Sequence, residues 1–60
     1  MDKNELRELI IWLEDRIIFS GNKENESKDI FDRRYWYGRM QGYKETLTAI
    51  QDSVYPPTNE

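Results

Sequence analysis

The first half of the chain places apolar side chains at the spacing of a helix. No glycine or proline occurs within residues 3–20, and aliphatic side chains recur there at helical intervals. These side chains are Leu6, Leu9, Ile10, Leu13 and Ile17. Asp2, with Glu5 three residues later, fits a capping box at the helix start, and Gly21 fits the left-handed position that often ends a helix. The pattern predicts an amphipathic helix over about residues 3–20.

The second half carries a heptad pattern. Apolar and aromatic side chains follow one another at alternating intervals of four and three residues, which is typical of a helix packed along one seam. They are Trp36, Met40, Tyr43, Leu47, Ile50 and Val54. Pro56 and Pro57 stop any helix, because a proline also disfavours helical geometry in the residue before it. We predict a second helix over about residues 28–53.

A polar connector joins the two predicted helices. Residues 21–27 contain one glycine and otherwise only polar side chains, and they provide enough chain for an antiparallel turn. Three residues are each suited to cap the second helix: Asn25, Ser27 and Asp29. The predicted fold is all-α, an antiparallel helical hairpin over residues 1–54 followed by a flexible tail at residues 55–60.

Each predicted helix has more apolar surface than one hairpin partner covers. On helix 1, Ile11 and Ile18 flank the apolar stripe on one side, and Trp12 and Phe19 flank it on the other. On helix 2, a second face carries Phe31, Tyr35, Gly38, Gly42 and Ala49. Two mid-helix glycines on one face indicate that another helix backbone or a bulky side chain packs closely there. We therefore expect a homodimer that forms a four-helix bundle. Its packing residues are predicted to be Gly38, Gly42, Ala49, Ile11 and Ile18.

Length and composition favour association and argue against catalysis. A chain of 60 residues buries so little of its surface that it is only marginally stable alone. It has no cysteine and no histidine. This excludes disulfides and thiolate metal sites, and it removes the usual general base and the usual soft nucleophile. We expect no enzymatic activity, no metal and no cofactor, and we expect stabilisation through oligomerisation or a partner.

Charge narrows the class of partner. The chain has 9 Lys and Arg against 12 Asp and Glu, a formal net charge of -3. Residues 33–39 mix arginines with aromatic rings, but a helix spreads them around its circumference, and the acidic balance disfavours nucleic-acid binding. No apolar run approaches the roughly 18 residues of a membrane span, and no basic segment precedes an apolar one as in a signal peptide. We expect a cytoplasmic protein that binds neither a membrane nor nucleic acid.

Several side chains outside the predicted seam are of the types that dominate protein interfaces. Tyr, Trp and Arg are the residues whose truncation most often weakens a complex. They concentrate near the start of helix 2 and on one flank of helix 1, together with one phenylalanine. The predicted partner-binding residues are Arg34, Tyr35, Tyr37, Arg39, Trp12 and Phe19. Trp36 and Tyr43 adjoin them in sequence, but the heptad spacing assigns both to the core.

Two segments resemble known sequences. Residues 35–47 read YWYGRMQGYKETL, after an opening ELRELIIWL at residues 5–13. Together they resemble small helical-hairpin proteins encoded by phages and prophages of Firmicutes, and the likeness covers most of residues 4–50. The resemblance implies a protein that binds and inhibits a host protein, such as a component of anti-phage defence, in the cytoplasm of the host cell. The alternatives are a structural or oligomerisation subunit and a small transcription regulator that acts through a protein.

Overall fold

Two helices packed side by side make up the described part of the chain. The computed structural model describes residues 2–54, with α1 at Lys3–Glu26 and α2 at Ile30–Val54. Both described elements are helical, and they pack on each other along their length. The predicted all-α hairpin is therefore confirmed for this range. The predicted tail at residues 55–60 lies outside the described residues.

Helix α1 begins where the sequence predicts. The Asp2 carboxylate accepts a hydrogen bond from the Glu5 backbone N–H at 2.8 Å, and the Asp2 carbonyl accepts one from the Leu6 N–H at 3.0 Å. Asp2 is the N-cap, with extended backbone angles. A side-chain oxygen there satisfies one of the N–H groups that the first helical turn leaves without a partner.

Helix α1 ends later than the sequence predicts. The helix continues through Gly21 to Glu26, and no residue within 2–54 has a positive φ, so the prediction of a left-handed Gly21 is wrong. The predicted end near Ser20 and the predicted connector at residues 21–27 are wrong for the same reason. The residues after Gly21 include a lysine and two glutamates, which are good helix formers. Their polar side chains can face water while the helix continues.

The chain turns at Ser27. The Ser27 hydroxyl donates to the Lys23 carbonyl at 2.7 Å, and the Ser27 N–H donates to the carbonyls of Lys23 and Glu24 at 3.0 and 3.3 Å. Ser27 therefore closes α1 and does not cap α2. The Asp29 carbonyl accepts from the Arg33 N–H at 3.0 Å, which makes Asp29 the residue that precedes α2. Asn25, the third candidate cap, lies inside α1.

The two helices run antiparallel and meet along the predicted seam. Trp12 packs against Tyr43 and Phe19 against Trp36, so residues later in α1 meet residues earlier in α2. At the centre, Leu13 is 2% exposed and Ser20 is 1% exposed. Val54, the last predicted seam residue, is exposed at the end of α2, so its assignment to the seam is wrong. The other predicted seam residues are half-buried: Leu6, Leu9, Ile10, Ile17, Trp36, Met40, Tyr43, Leu47 and Ile50.

The hairpin is too thin to enclose a core. Its smallest dimension is 13 Å, close to the diameter of one helix with its side chains. Within residues 2–54, Leu13 is the only apolar side chain that is buried, and several large apolar side chains remain exposed on the flanks. A two-helix layer can bury only the strip where the helices touch, so both broad faces are left open. Over that same range, neither helix combines the length and the apolar character needed to cross a membrane.

Candidate protein-binding surface

One broad face of the hairpin carries a continuous row of aromatic rings and cations. We call this row the aromatic strip. It is built from both helices, because α1 and α2 each turn one flank of the seam toward the same side. Its members are Trp12, Phe19, Tyr35, Trp36 and Tyr43, with Arg16, Lys23 and Arg39.

The rings of the aromatic strip meet edge to face. The Trp12 and Tyr43 centroids lie 5.8 Å apart, and those of Phe19 and Trp36 lie 5.6 Å apart, both across the seam. Within α2, the centroids of Tyr35 and Trp36 lie 4.9 Å apart. Interplanar angles of 81–86° place the positive edge of one ring against the negative face of its neighbour. The two helices are thus tied together by aromatic pairs as well as by aliphatic contacts.

Cations cover ring faces along the aromatic strip. The Arg16 guanidinium lies 4.5 Å from the Phe19 ring centroid, and the Lys23 ammonium lies 5.5 Å from it. Arg39 lies 5.3 Å from the Tyr43 centroid and 5.9 Å from the Tyr35 centroid. These distances are within the range of cation–π attraction.

Arg39 is held from two directions. Its guanidinium donates a hydrogen bond to the Tyr43 hydroxyl at 2.6 Å while it lies over the two tyrosine rings. Arg39 and Tyr43 are one helical turn apart, which is the spacing at which side chains on a helix meet. These contacts place the positive charge of Arg39 at the exposed edge of the aromatic strip.

An open groove adjoins the aromatic strip on α2. Its floor contains Gly38 and Gly42, and a Cβ built on either glycine would have no non-local atom within 4 Å. The groove is shallow, about 560 Å³ in volume, and is lined by Arg34, Tyr35, Gly38, Arg39, Gly42, Tyr43 and Thr46. The two helices of the hairpin do not meet at these glycines. The predicted packing of a second copy against them stays a prediction, as it does for Ala49, which is also exposed.

The opposite flank of α1 carries a second groove, which we call the isoleucine groove. It has a volume of about 580 Å³ and is lined by Lys3, Leu6, Arg7, Ile10, Ile11, Glu14 and Val54. Ile11 is 50% exposed, and Ile18, two turns further along the same flank, is 63% exposed. Aliphatic side chains and opposite charges share this surface, whereas aromatic rings dominate the other side.

Four of the six predicted partner-binding residues are brought together. Trp12, Phe19, Tyr35 and Arg39 belong to the aromatic strip. Arg34 lines the open groove that contains Gly38 and Gly42. Tyr37 does not join them. It follows Tyr35 by two residues, which places it about 200° away from Tyr35 around the axis of α2. It lines a separate shallow depression.

Four members of the aromatic strip are not among the partner-binding residues predicted from the sequence. The heptad spacing assigns Trp36 and Tyr43 to the core, but both rings are half-buried and also form part of the surface. Arg16 and Lys23 were not singled out. The available signal was their spacing from Phe19, three residues before and four residues after, which places a cation over a ring on the same helical face.

The described residues show no site that could hold a metal ion. Within residues 2–54, no three Asp or Glu side chains come together as ligands. Comparisons with known proteins add no family: no family model, no curated protein and no solved structure matches the chain.

Proposed function

We propose that this chain is a non-enzymatic protein-interaction module that binds a partner protein through the aromatic strip. The observation that carries the proposal is the continuity of the strip, in which rings from both helices and three cations form one row. Trp12 is 53% exposed, Tyr35 is 55% exposed and Phe19 is 39% exposed. Such a surface is available to a partner without any change in the hairpin.

The composition of the aromatic strip suits a protein interface. Trp, Tyr and Arg are enriched among the residues that supply most binding energy in protein complexes. The strip is also ordered before binding, because its rings pack on one another and Arg39 is held by Tyr43. Side chains that are already fixed lose less conformational entropy when a partner binds.

A protein partner fits the aromatic strip better than single-stranded nucleic acid does. Base stacking needs open ring faces. Cations cover faces of Phe19, Tyr35 and Tyr43, and the edge-to-face pairs occupy others. The net charge of -3 also opposes the electrostatic attraction that dominates nucleic-acid binding.

The thinness of the hairpin supports self-association as part of the same proposal. A layer about one helix thick leaves one face open on each side, and small chains without disulfides or metals are commonly stabilised by oligomerisation. The finer architecture that we propose is a homodimer in which two hairpins pack as a four-helix bundle. One broad face then packs against the second copy, and the other broad face binds the partner protein.

The narrower proposal is that the partner is a host protein and that binding inhibits it. This step rests on the resemblance to small phage-encoded hairpins, with the host-cell cytoplasm as the place of action. Two alternatives also work through protein binding. One is an assembly or oligomerisation subunit, and the other is a regulator of transcription that acts through a protein. An inhibitor lowers the activity of the protein that it captures, whereas an assembly subunit leaves that activity unchanged.

The test compares two surface variants that differ in the face they alter. Tyr35→Ala with Arg39→Ala removes two exposed members of the aromatic strip. Tyr37→Ala is the matched control, since it truncates an exposed tyrosine of the same helix that lies outside the strip. Tagged wild-type and variant chains are expressed in cells, and captured proteins are identified by mass spectrometry.

The expected result is one partner captured by the wild type and by Tyr37→Ala, and lost with the double variant. Truncation of two interface anchors typically costs about 2 kcal/mol or more each, enough to abolish capture of a micromolar partner. Circular dichroism is expected to show the same helix content for all three chains. Capture by the double variant at wild-type affinity would contradict the role of the aromatic strip.

A further inference from the structure

The isoleucine groove has opposite charges at its two ends. Arg7 and Glu14 are seven residues apart, so they lie on one face of α1 about two turns apart. Ile10 and Ile11 lie between them and line the same groove. Arg7, Ile11 and Glu14 are all exposed. The order along this face is therefore cation, aliphatic pair, anion.

This order is complementary to itself. When two copies of α1 meet antiparallel about a two-fold axis between residues 10 and 11, position 7 of each helix faces position 14 of the other. Arg7 then faces Glu14 of the second copy twice, by symmetry, and the isoleucines meet at the axis. An isologous interface requires this kind of self-complementary patch.

A different register is disfavoured by charge. Pairing Ile11 with Ile18 of a second copy would bring the two exposed isoleucines of this flank into contact. However, it would place the axis between residues 14 and 15, and Glu14 would face Asp15 twice. Four carboxylates around one axis repel each other, and this repulsion disfavours the register that pairs Ile11 with Ile18.

We infer that a second copy of this chain occupies the isoleucine groove, with the two α1 helices antiparallel and Arg7 of each facing Glu14 of the other. The inference rests on the proposed self-association and specifies its face and register. It also leaves the aromatic strip, on the other flank of α1, free for the partner protein.

A charge swap tests the register. The variants are Arg7→Glu, Glu14→Arg and the double variant with both changes. Each single change turns two attractive pairs into two repulsive ones, and the double change restores attraction with the signs exchanged. Glu8→Arg is the control, because Glu8 is exposed on the same helix about 120° away from Glu14 around the axis. Dissociation constants are measured by sedimentation equilibrium, and circular dichroism checks helix content.

The expected result is a wild-type dimer that each single change weakens about tenfold, with affinity restored in the double variant and unchanged in Glu8→Arg. The loss of dimer affinity in the single variants is expected to be smaller at 1 M salt, where charges are screened. A monomeric wild type would remove the proposed self-association together with this inference. A wild-type dimer that no charge variant weakens, or that the double change weakens further, would overturn the register alone. Loss of the dimer in the Tyr35 and Arg39 double variant, with Arg7→Glu unaffected, would move the interface to the aromatic strip and overturn the inference.

Discussion

Gly21→Ala is expected to stabilise the protein. Gly21 lies inside α1 with negative φ, five residues before the helix ends at Glu26. An alanine in a helix interior is favoured over glycine by about 0.5–1 kcal/mol, since glycine loses more backbone freedom on folding. The same substitution at a left-handed helix end would instead cost about 1–2 kcal/mol, because a Cβ clashes there. The sign of the change therefore reports the conformation of Gly21 directly.

The surroundings of Gly21 do not reverse this expectation. An added Cβ would lie 3.4 Å from the Met40 Sδ, the nearest non-local atom, which is ordinary van der Waals contact. Met40 is half-buried and its flexible thioether adapts to small changes in shape. We therefore expect the free energy of unfolding to rise by about 0.5–1 kcal/mol, which raises the melting temperature by about 2–8 °C in a domain of this size.

Thermal and urea unfolding, followed by circular dichroism at one fixed chain concentration, measure this effect. The concentration is fixed because the stability of a self-associating chain depends on it. Gly38→Ala is the matched control: it is also inside a helix, and its Cβ would meet nothing within 4 Å. Its gain measures helix propensity alone, and the difference between the two variants measures the Met40 contact. A clear loss of stability in Gly21→Ala that persists in a Met40→Ala background, with a gain in Gly38→Ala, would refute a continuous α1 through Gly21.

Two further substitutions test the seam. Leu13→Ala is expected to lower the free energy of unfolding by about 2–5 kcal/mol, because Leu13 is 2% exposed. Phe31 is 73% exposed, so Phe31→Ala is expected to lower it by no more than about 0.5 kcal/mol. Equal losses in urea unfolding would contradict the central position of Leu13. Ser20→Ala is expected to raise the free energy of unfolding by about 1 kcal/mol, because the buried Ser20 Oγ has no hydrogen-bond partner among the described residues. A lower urea midpoint for Ser20→Ala would show that the hydroxyl contributes a bond in solution.

The seam could be predicted from the sequence because periodicity alone identifies it. Apolar residues that share one helical face must turn that face away from water, whichever helix covers it. Leu13 and Leu47 were assigned to the seam on spacing, and the structure places both there. The Asp2 cap could also be predicted, because its hydrogen bond is local and reaches only to Glu5.

The end of α1 could not be predicted in the same way. Gly21 and the polar residues after it are compatible with a helix or with a connector, and local preference does not decide between them. The decision comes from the packing of Gly21 near Met40 and from the hydrogen bonds of Ser27 to the last turn. The Gly21–Met40 contact depends on where the second helix lies. The Ser27 hydrogen bonds are local, but a serine at this position is equally suited to cap the second helix, so the sequence leaves its role open.

The aromatic strip shows most clearly what tertiary structure decides. Helical periodicity places Tyr35 and Tyr37 outside the seam and about 200° apart around the axis of α2, but it does not say which of them shares a surface with the rings of α1. Only the packing of α1 on α2 sets Trp12 against Tyr43 and Phe19 against Trp36, which joins Tyr35 to the aromatic strip through Trp36 and leaves Tyr37 in a separate depression. The physical reason is that helical periodicity fixes a residue's angle around its own axis, while the surface it shares with another helix depends on how the two axes are placed.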